Sequence, residues 1–436
     1  MLNWAKNIEY HASGIESPAT LQELAALVEG RQNIKVLGSR HSFNRIADTG
    51  ALHLSLEKLP PCLEIERNGA SATVTVSAGL PYGAFCEDLH QNGFALHNLA
   101  SLPHISVAGA CATATHGSGL RHRNLAAAVT RLEMITADGK SVRISRGDDE
   151  FPHAVVGLGA LGIVTRITLE LEPTYEVRQW VYQSLPMANL DDYFDDLMQC
   201  AYSVSLFTDW RNDAFTQVWL KERIDDREVD VDALARGKSI LELHAATPSQ
   251  KPLHPVNGDP ECCTQQLGAP GAWHDRLPHF RMSFTPSAGN ELQSEYLVAF
   301  SDAPGALRAI HKLHEQISPL LLVTEVRSVS ADDFTMSPCH GRESVAIHFT
   351  WRQHLHLDEA FLSSGLTPEI ENVLRQIEEA LEPFDARPHL GKLFTMTPDR
   401  LAKAYQNLPL FRTQMERYDP EGKFRNEFLN DYIIGH

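Results

Sequence analysis

The chain has 436 residues, 43% hydrophobic and 22% charged, with 38 Lys and Arg against 56 Asp and Glu for a formal charge of −18. That composition excludes disordered, collagen-like and simple coiled-coil chains, and at roughly 150 residues per domain it predicts two or three domains with a well-buried core. The acidic balance, without any block of Lys or Arg, opposes binding to nucleic acid or an anionic membrane, so an anionic ligand must be held locally by backbone amides or a few cations. The seven cysteines (Cys62, Cys86, Cys111, Cys200, Cys262, Cys263, Cys339) are odd in number and lack CxxC spacing, which reads as reduced thiols of a cytoplasmic protein. The N-terminal MLNWAKNIEYHAS has no apolar signal core, and no run approaches the ~18 apolar residues of a membrane span. Among the 21 histidines the densest group, His354-Leu-His356-Leu-Asp358, has no companion with ligand spacing; it reads as a solvated turn, and no metal is expected.

In chain order, Thr20 with Glu23 forms a capping box ahead of Leu24, Ala25, Leu27 and Val28, predicting a short amphipathic helix that stops at Gly30. Ile34, Val36 and Leu37 form a buried strand that runs into Gly38-Ser39-Arg40-His41-Ser42-Phe43-Asn44, a candidate phosphate cradle. Val74, Val76 and Ala78 alternate with Thr75 and Ser77 as a strand, and 82–93 has helical spacing ending in glycine. From Ala100 to Gly119, 14 of 20 residues are Ala, Gly, Ser, Thr or Cys. Such a stretch builds no core but lets backbone approach a flat ligand closely. Residues 130–136 and 141–145 flank an Asp138-Gly139 turn as a hairpin, and 163–171 is a further strand. From about Tyr175 the texture changes to longer aromatic strands at 178–182, 203–210, 216–219, 281–285 and 292–300, with loops over 247–279, predicting a second domain built on an antiparallel sheet. Helices are expected at 304–317 and, after Thr367-Pro368, along Ile370, Val373, Leu374, Ile377 and Leu381. The C-terminal residues turn helical again before Asp419-Pro-Glu-Gly-Lys-Phe424.

A literal GxGxxG occurs at Gly157-Leu158-Gly159-Ala160-Leu161-Gly162, but a nicotinamide-binding fingerprint follows a strand and opens a helix. The run Ile163-Val164-Thr165 after it is strand-like, so these glycines read as a turn that can touch a ligand. Successive amides of 38–44, with the Ser39 and Ser42 hydroxyls, can hold a diphosphate without net positive charge, although an ordinary strand-to-helix turn has the same local pattern. The small-residue segment, with Ser101, Ser106, Gly109, Thr113, Thr115 and His116, favours an extended dinucleotide lying against backbone. On strands expected at 322–329 and 345–351, Glu325 and Arg327 share one face, and His348 and Thr350 share one face. On pattern alone both pairs belong to the exposed side of a half-buried sheet.

At these residues the chain resembles a known family. The motifs LGSRHSFN, LASLPHISVAG, ATATHGSG, GLGALGIVT, TEVRSV, AIHFTW, RPHLGK and DPEGKF, in that order, resemble the vanillyl-alcohol-oxidase-type FAD flavoproteins and among them the alditol oxidases, from about Trp4 to Phe428. The resemblance implies an α+β, two-domain fold of the vanillyl-alcohol-oxidase (PCMH) type. Residues 1–174 would form the FAD-binding domain, 175–393 an antiparallel-sheet cap over the isoalloxazine ring, and 394–436 a segment completing the FAD-binding domain. It implies FAD attached covalently through His41. Val36, Gly38, Ser39, Arg40, Ser42, Phe43, Asn44, Ser101, Ser106, Gly109, Thr113, Ala114, Thr115, His116, Gly162, Val164 and His389 would lie against the cofactor. Arg40 stands where close relatives carry Gly. The implied substrate site is Ser101, Glu325, Arg327, His348, Thr350 and Lys392, with Lys392, Arg327 and Glu325 carrying the chemistry.

The expected reaction is oxidation of the terminal hydroxyl of an alditol such as xylitol or sorbitol to the aldose, with the hydride going to flavin N5 and O2 returning as H2O2. The partners expected are the polyol and O2, acting on a monomer. The alternative keeps the flavin and changes the electron acceptor, giving an aldonolactone-type dehydrogenase. Beside Arg327, Glu325 is expected to be a weak base and a good hydrogen-bond anchor, which leaves Lys392 as the better acid–base group.

Overall fold

The computed structural model describes residues 1–69, 71–224, 232–256, 258–284, 291–353 and 359–435; the His354–Asp358 cluster lies outside them. Thr20 caps the helix Leu21–Gly30 by accepting the Glu23 N–H at 3.1 Å, while the Glu23 carboxylate accepts the Ala19 N–H at 2.8 Å. Leu24 and Val28 pack with Ile34, Leu52, Leu54, Ile135, Ile163 and Phe424. Ile34–Val36 pairs in parallel with Leu52–Leu54, which pairs in parallel with Gly14–Glu16. This small sheet aims the strand end at residues 38–44.

A second sheet is antiparallel, in the order Leu63–Asn68, Ser71–Ser77, Ile163–Pro173, Val129–Ile135 and Ser141–Ser145, with Phe94–Ala95 also on Ile163–Pro173. The strand that follows the GxGxxG glycines is the one expected. Leu63–Asn68 was not expected: Leu63 and Ile65 do alternate with Glu64 and Glu66, but the run is short and, on an outer edge, only Ile65 is half-buried. The small-residue stretch contains a short helix, Val107–Ala112, which its composition did not announce.

The third sheet has nine antiparallel strands among the described residues. Its centre runs Glu176–Pro186, Ala214–Arg223, Ser203–Thr208, Leu321–Val329, Ser344–Arg352 and Glu291–Ala299. Period-two alternation divides its faces. Leu206, Tyr296, Val326, Ile347, Phe349 and Trp351 join a core shared with the helices Leu190–Gln199, Ala303–His311 and Pro368–Leu381, while the opposite face is polar and looks toward the first two sheets.

Two expectations fail here. Residues 281–284 form a turn, closed by the Phe284 N–H donating to Arg281 O at 3.1 Å, and the Arg281 N–H goes to Cys262 O, so no strand edge is free to extend; residue 285 lies outside the described residues. The helix expected at 304–317 is two, Ala303–His311 and His314–Ile317, interrupted at Lys312-Leu313. Among the described residues no helix is long and apolar enough to cross a membrane, and all seven cysteines are free and buried.

The C-terminal tail is pinned onto the first sheet. Lys423 Nζ donates to Val28 O at 2.8 Å, Glu29 O at 3.2 Å and Ala137 O at 2.9 Å, so it satisfies carbonyls that the end of the first helix leaves open. Lys423 O in turn accepts the Ile34 N–H at 2.8 Å. Lys423→Met leaves those buried carbonyls short of a donor and should lower the unfolding free energy by about 2–4 kcal/mol, read from the urea midpoint of the flavin-bound protein. An unchanged midpoint would remove this role.

Candidate active site

A cavity of about 1180 Å³ lies between the first two sheets and the polar face of the third. It exceeds the roughly 300–1,000 Å³ of a site for one drug-sized ligand, leaving room for an extended cofactor and a substrate. One wall is made by Val36, Gly38, Ser39, Arg40, His41, Ser42 and Phe43, by Ser106, Gly109, Thr113, Thr115 and His116, and by Gly157, Gly159, Gly162 and Val164. These segments close tightly: a Cβ on Gly38 would lie 2.5 Å from Ser106 Oγ, and one on Gly109 would lie 2.9 Å from it. Lys35, which sequence reasoning passed over, is buried in the same wall, with Nζ donating to Gly159 O at 3.2 Å; burial draws its pKa down to about 7.

Two residues assigned to the cofactor do not line the cavity. Asn44 turns away to cap the Arg45–Ala47 turn and donates from Nδ2 to Leu390 O at 2.8 Å and Lys392 O at 2.7 Å, so it positions the Lys392 loop. Ala114 is buried behind the wall, in the left-handed region at φ 55°. Arg40 is also left-handed, at φ 59°, a conformation that favours glycine over a residue with a Cβ. The His41 ring packs against Trp4 with centroids 4.2 Å apart, and burial, then Lys392 and His104, lower its pKa to about 4.

The other end of the cavity is built by strand register. Glu325 lies opposite His348, and His348 lies opposite Glu295 on its other side, so three strands deliver these side chains in one row. The 389–393 segment runs beside the same strand, with the His389 N–H donating to Glu295 O at 2.9 Å and the Leu393 N–H to Gln293 O at 2.9 Å; this brings Lys392 to the row. Glu295 is the residue that the sequence analysis missed. Its carboxylate accepts from Arg327 Nη2 at 2.7 Å and Lys392 Nζ at 2.9 Å, and its Oε1 is 3.5 Å from His116 Nε2 and 3.8 Å from His348 Nδ1. The signal was available: Gln293 and Glu295 share a face for the same reason that Glu325 and Arg327 do.

Ser101 Oγ accepts a long hydrogen bond from Arg327 Nη1 at 3.5 Å. Lys392 Nζ donates to His348 Nδ1 at 2.8 Å, and His348 Nε2 stands 3.1 Å from Thr350 Oγ1. Glu325, Arg327, His348 and Thr350 are all buried, so their face is the wall of a cavity and not a solvated surface. Burial opposes ionisation of Glu295, but Lys392, His116 and Arg327 outweigh it and hold the carboxyl well below its usual range. Burial likewise opposes ionisation of Glu325, and Arg327 and His279 overcome it. Lys392 is drawn down by burial against the pull of Glu295. His348 is held far below its usual value by burial and Lys392, and His389 at about 3 by the same two causes, so both are neutral near pH 7.

His254, Cys262 and Cys263 also gather, with ring nitrogen and sulfur atoms within 4.8 Å of one another. Burial raises both thiol pKa values, and Cys262 Sγ already donates to Asp259 O at 2.8 Å.

An alditol oxidase from a Streptomyces species is 45% identical over 437 residues, covering 99% of each chain. The chain belongs to the vanillyl-alcohol-oxidase-type FAD flavoproteins. In this flavoprotein the FAD binding domain family matches residues 13–145, and the D-arabinono-1,4-lactone oxidase family matches residues 288–432. An L-gulono-1,4-lactone dehydrogenase from Mycobacterium tuberculosis is 27% identical over 452 residues, covering 99% of this chain and 97% of that one. The solved structure of a cholesterol oxidase from B. sterolicum superposes with a TM-score of 0.74 over 99% of this chain and 96% of that one; at 15% identity it shows the shared fold. The protein is thus an FAD-dependent oxidoreductase, and the glycine-lined wall fits its cofactor.

The left-handed backbone at Arg40 gives a direct test. Arg40→Gly should be neutral or stabilising by up to about 1 kcal/mol, and Arg40→Val should destabilise by about 1–2 kcal/mol, in thermal unfolding of the flavin-bound protein. Equal stability of the two variants would contradict the assigned conformation.

Proposed function

We propose that this flavoprotein oxidises the terminal CH2–OH of an alditol of the xylitol or sorbitol type to the aldose. The observation that carries the reading is the row of buried charged groups, Glu325, Arg327, Glu295 and Lys392, two of each sign, at one end of the cofactor cavity. These groups pair with one another and with His279, but an apolar substrate would leave their remaining donors and acceptors unanswered, and a charged one would upset their balance. A neutral molecule with many hydroxyls can donate to Glu325 and accept from Arg327 and Lys392. The 45% identity to an alditol oxidase over the whole chain supports the same choice.

FAD supplies, when bound, a two-electron acceptor for the substrate hydride at N5 and a route for those electrons to O2, giving H2O2. The protein must take the hydroxyl proton, since a polyol hydroxyl does not ionise unaided near pH 7. Glu325 is too well stabilised as an anion to be a strong base, and it anchors the substrate by accepting from a hydroxyl. Lys392, drawn down by burial, can lose its own proton to solvent; as the neutral amine it takes the hydroxyl proton and returns to the ammonium that pairs with Glu295, while Arg327 stabilises negative charge on the substrate oxygen. Ser101 and Thr350 complete the polyol contacts. A neutral His41 keeps an unprotonated ring nitrogen, as covalent attachment of the flavin requires.

The lactone oxidase match over 288–432 favours a second reading, an aldonolactone dehydrogenase that passes electrons to another acceptor. Oxygen consumption with C4–C6 alditols and aldonolactones, set against dye reduction, separates the two. Peroxide formed from alditols supports the first.

Two outcomes test the residue roles. Acid precipitation should leave a yellow pellet from the wild type and a yellow supernatant from His41→Ala; wild-type colour in the supernatant would exclude covalent attachment. In anaerobic stopped-flow with xylitol, Lys392→Met should slow flavin reduction by roughly 10²–10⁴ and Arg327→Ala by roughly 10²–10³. Near-normal reduction in Lys392→Met together with a dead Glu325→Gln would reverse the roles of base and anchor.

A further inference from the structure

Beside Glu325 lies a buried pair that the reaction as described does not use, His279 in the cavity wall and Lys221 behind it. Lys221, on the strand Ala214–Arg223, is buried, with Nζ reaching three acceptors: Leu277 O, Pro278 O at 3.3 Å and His279 Nδ1 at 3.1 Å. An ammonium has three protons and no lone pair, so these contacts match its donors one for one. His279 Nδ1 must then accept, which leaves the ring proton on Nε2. That nitrogen sits 2.7 Å from Glu325 Oε1. The tautomer is therefore fixed from behind, and the pair directs one charge-assisted donor at the carboxylate.

The His279 ring cannot turn out of this role. It packs edge-on against Trp219 and Phe207, with centroids 5.0 and 5.7 Å away, and its backbone N–H donates to Ser101 O at 3.2 Å. The same link ties it to the loop that carries Ser101. On the far side of the site Lys392, His348 and Thr350 repeat the pattern of lysine donating to Nδ1 of a neutral imidazole.

We propose that Lys221 and His279 are positioning residues that hold Glu325 as an oriented, acceptor-only carboxylate for a substrate hydroxyl. The inference rests on the substrate site proposed above, and on Glu325 as its anchor. Lys221 acts through His279 and does not meet the substrate.

The groups that face this arm are few. Glu325 has Arg327 Nε at 3.7 Å, and it also feels His279 and His348; Lys221 feels Glu325, Cys263 and Arg327. With the arm intact Glu325 stays ionised well below neutrality, so KM should be flat on the acid side, where the loss of rate belongs to the base Lys392 and appears in kcat. Without the His279 donor and the Lys221 charge, burial of the carboxylate is less fully offset, its pKa rises, and an acid limb in 1/KM should enter the accessible range. Above about pH 7, where burial lets Lys221 lose its proton, the wild type loses the same constraint.

The test uses the flavin-bound protein and whichever member of the C4–C6 alditol and aldonolactone panel the wild type turns over fastest. Failure of the alditol reading then shows in the wild type alone, and the variants still report on Glu325. Lys221→Met and His279→Leu should raise KM by about 10–100-fold, the usual worth of a hydrogen bond to a charged group, with kcat changed by less than about threefold. Both should acquire an acid limb in 1/KM above pH 5 that the wild type lacks. His279→Gln, whose amide can accept from Lys221 and donate to Glu325, should recover most of the affinity and the flat profile; a residue that serves only packing would show no such difference between Gln and Leu. Should Lys221→Met fail to accumulate as a folded flavoprotein, the two His279 variants decide. KM values within threefold of the wild type, an unchanged acid profile, or His279→Gln no better than His279→Leu would overturn the proposal.

Discussion

The site depends on one buried carboxylate. Glu295 is 1% exposed and sits between Arg327 and Lys392, two cations that could not otherwise share so small a volume. Desolvating either alone costs several kcal/mol, and their repulsion in a low-dielectric wall would add to that. With Glu295 between them, each has a partner at hydrogen-bond distance, and Glu325 balances the count. The result is a pocket with strong local fields and little net charge, which suits a ligand that is itself neutral and rich in dipoles.

That arrangement is affordable because the third sheet separates its two tasks by strand parity. Even positions such as Val326 and odd positions such as Ile347 and Phe349 face the helices, and their neighbours in sequence face the cavity. The helix-covered side supplies apolar burial, while the other side carries the charge. The β-bulge between Leu321 and Val323 sets the register just before Glu325, so the row of Glu325, His348 and Glu295 depends on a backbone irregularity as much as on side-chain identity.

Much of this was legible in the sequence. The capping box at Thr20 and Glu23, the Asp138-Gly139 turn, the strand after the GxGxxG glycines and the amphipathic helix from Pro368 each follow from local chemistry, and each is found where local chemistry puts it. The i, i+2 pairs were legible as pairs, but their burial was not, because alternation tells which residues share a face and not what covers it. Glu295 stayed hidden in a strand whose aromatic and aliphatic residues dominated the pattern, and Lys221 and His279 stayed hidden because their meaning is a long-range contact. Asn44 shows the converse: a residue inside a recognisable motif whose side chain serves the neighbouring loop. The edge strand Leu63–Asn68 was passed over and the 281–284 turn was read as a strand because their backbone partners, not their side chains, decide them.

The contact between Lys423 and the first helix reaches across 395 residues of sequence. During synthesis at roughly 5–20 residues per second, the strand that leads to His41 waits about 20–80 s for the segment that locks it. The third sheet's central strands, all between 176 and 352, are made only about 4–14 s ahead of that segment, and the edge strand Arg387–Pro388 later still. Lys392 of the substrate site also comes late, so the nascent chain carries most of its residues before either wall of the cavity can close. Lys423 is made after the strands of both walls, so its contact with the first helix fixes the earliest strand late, and this fold closes from its tail back toward its beginning.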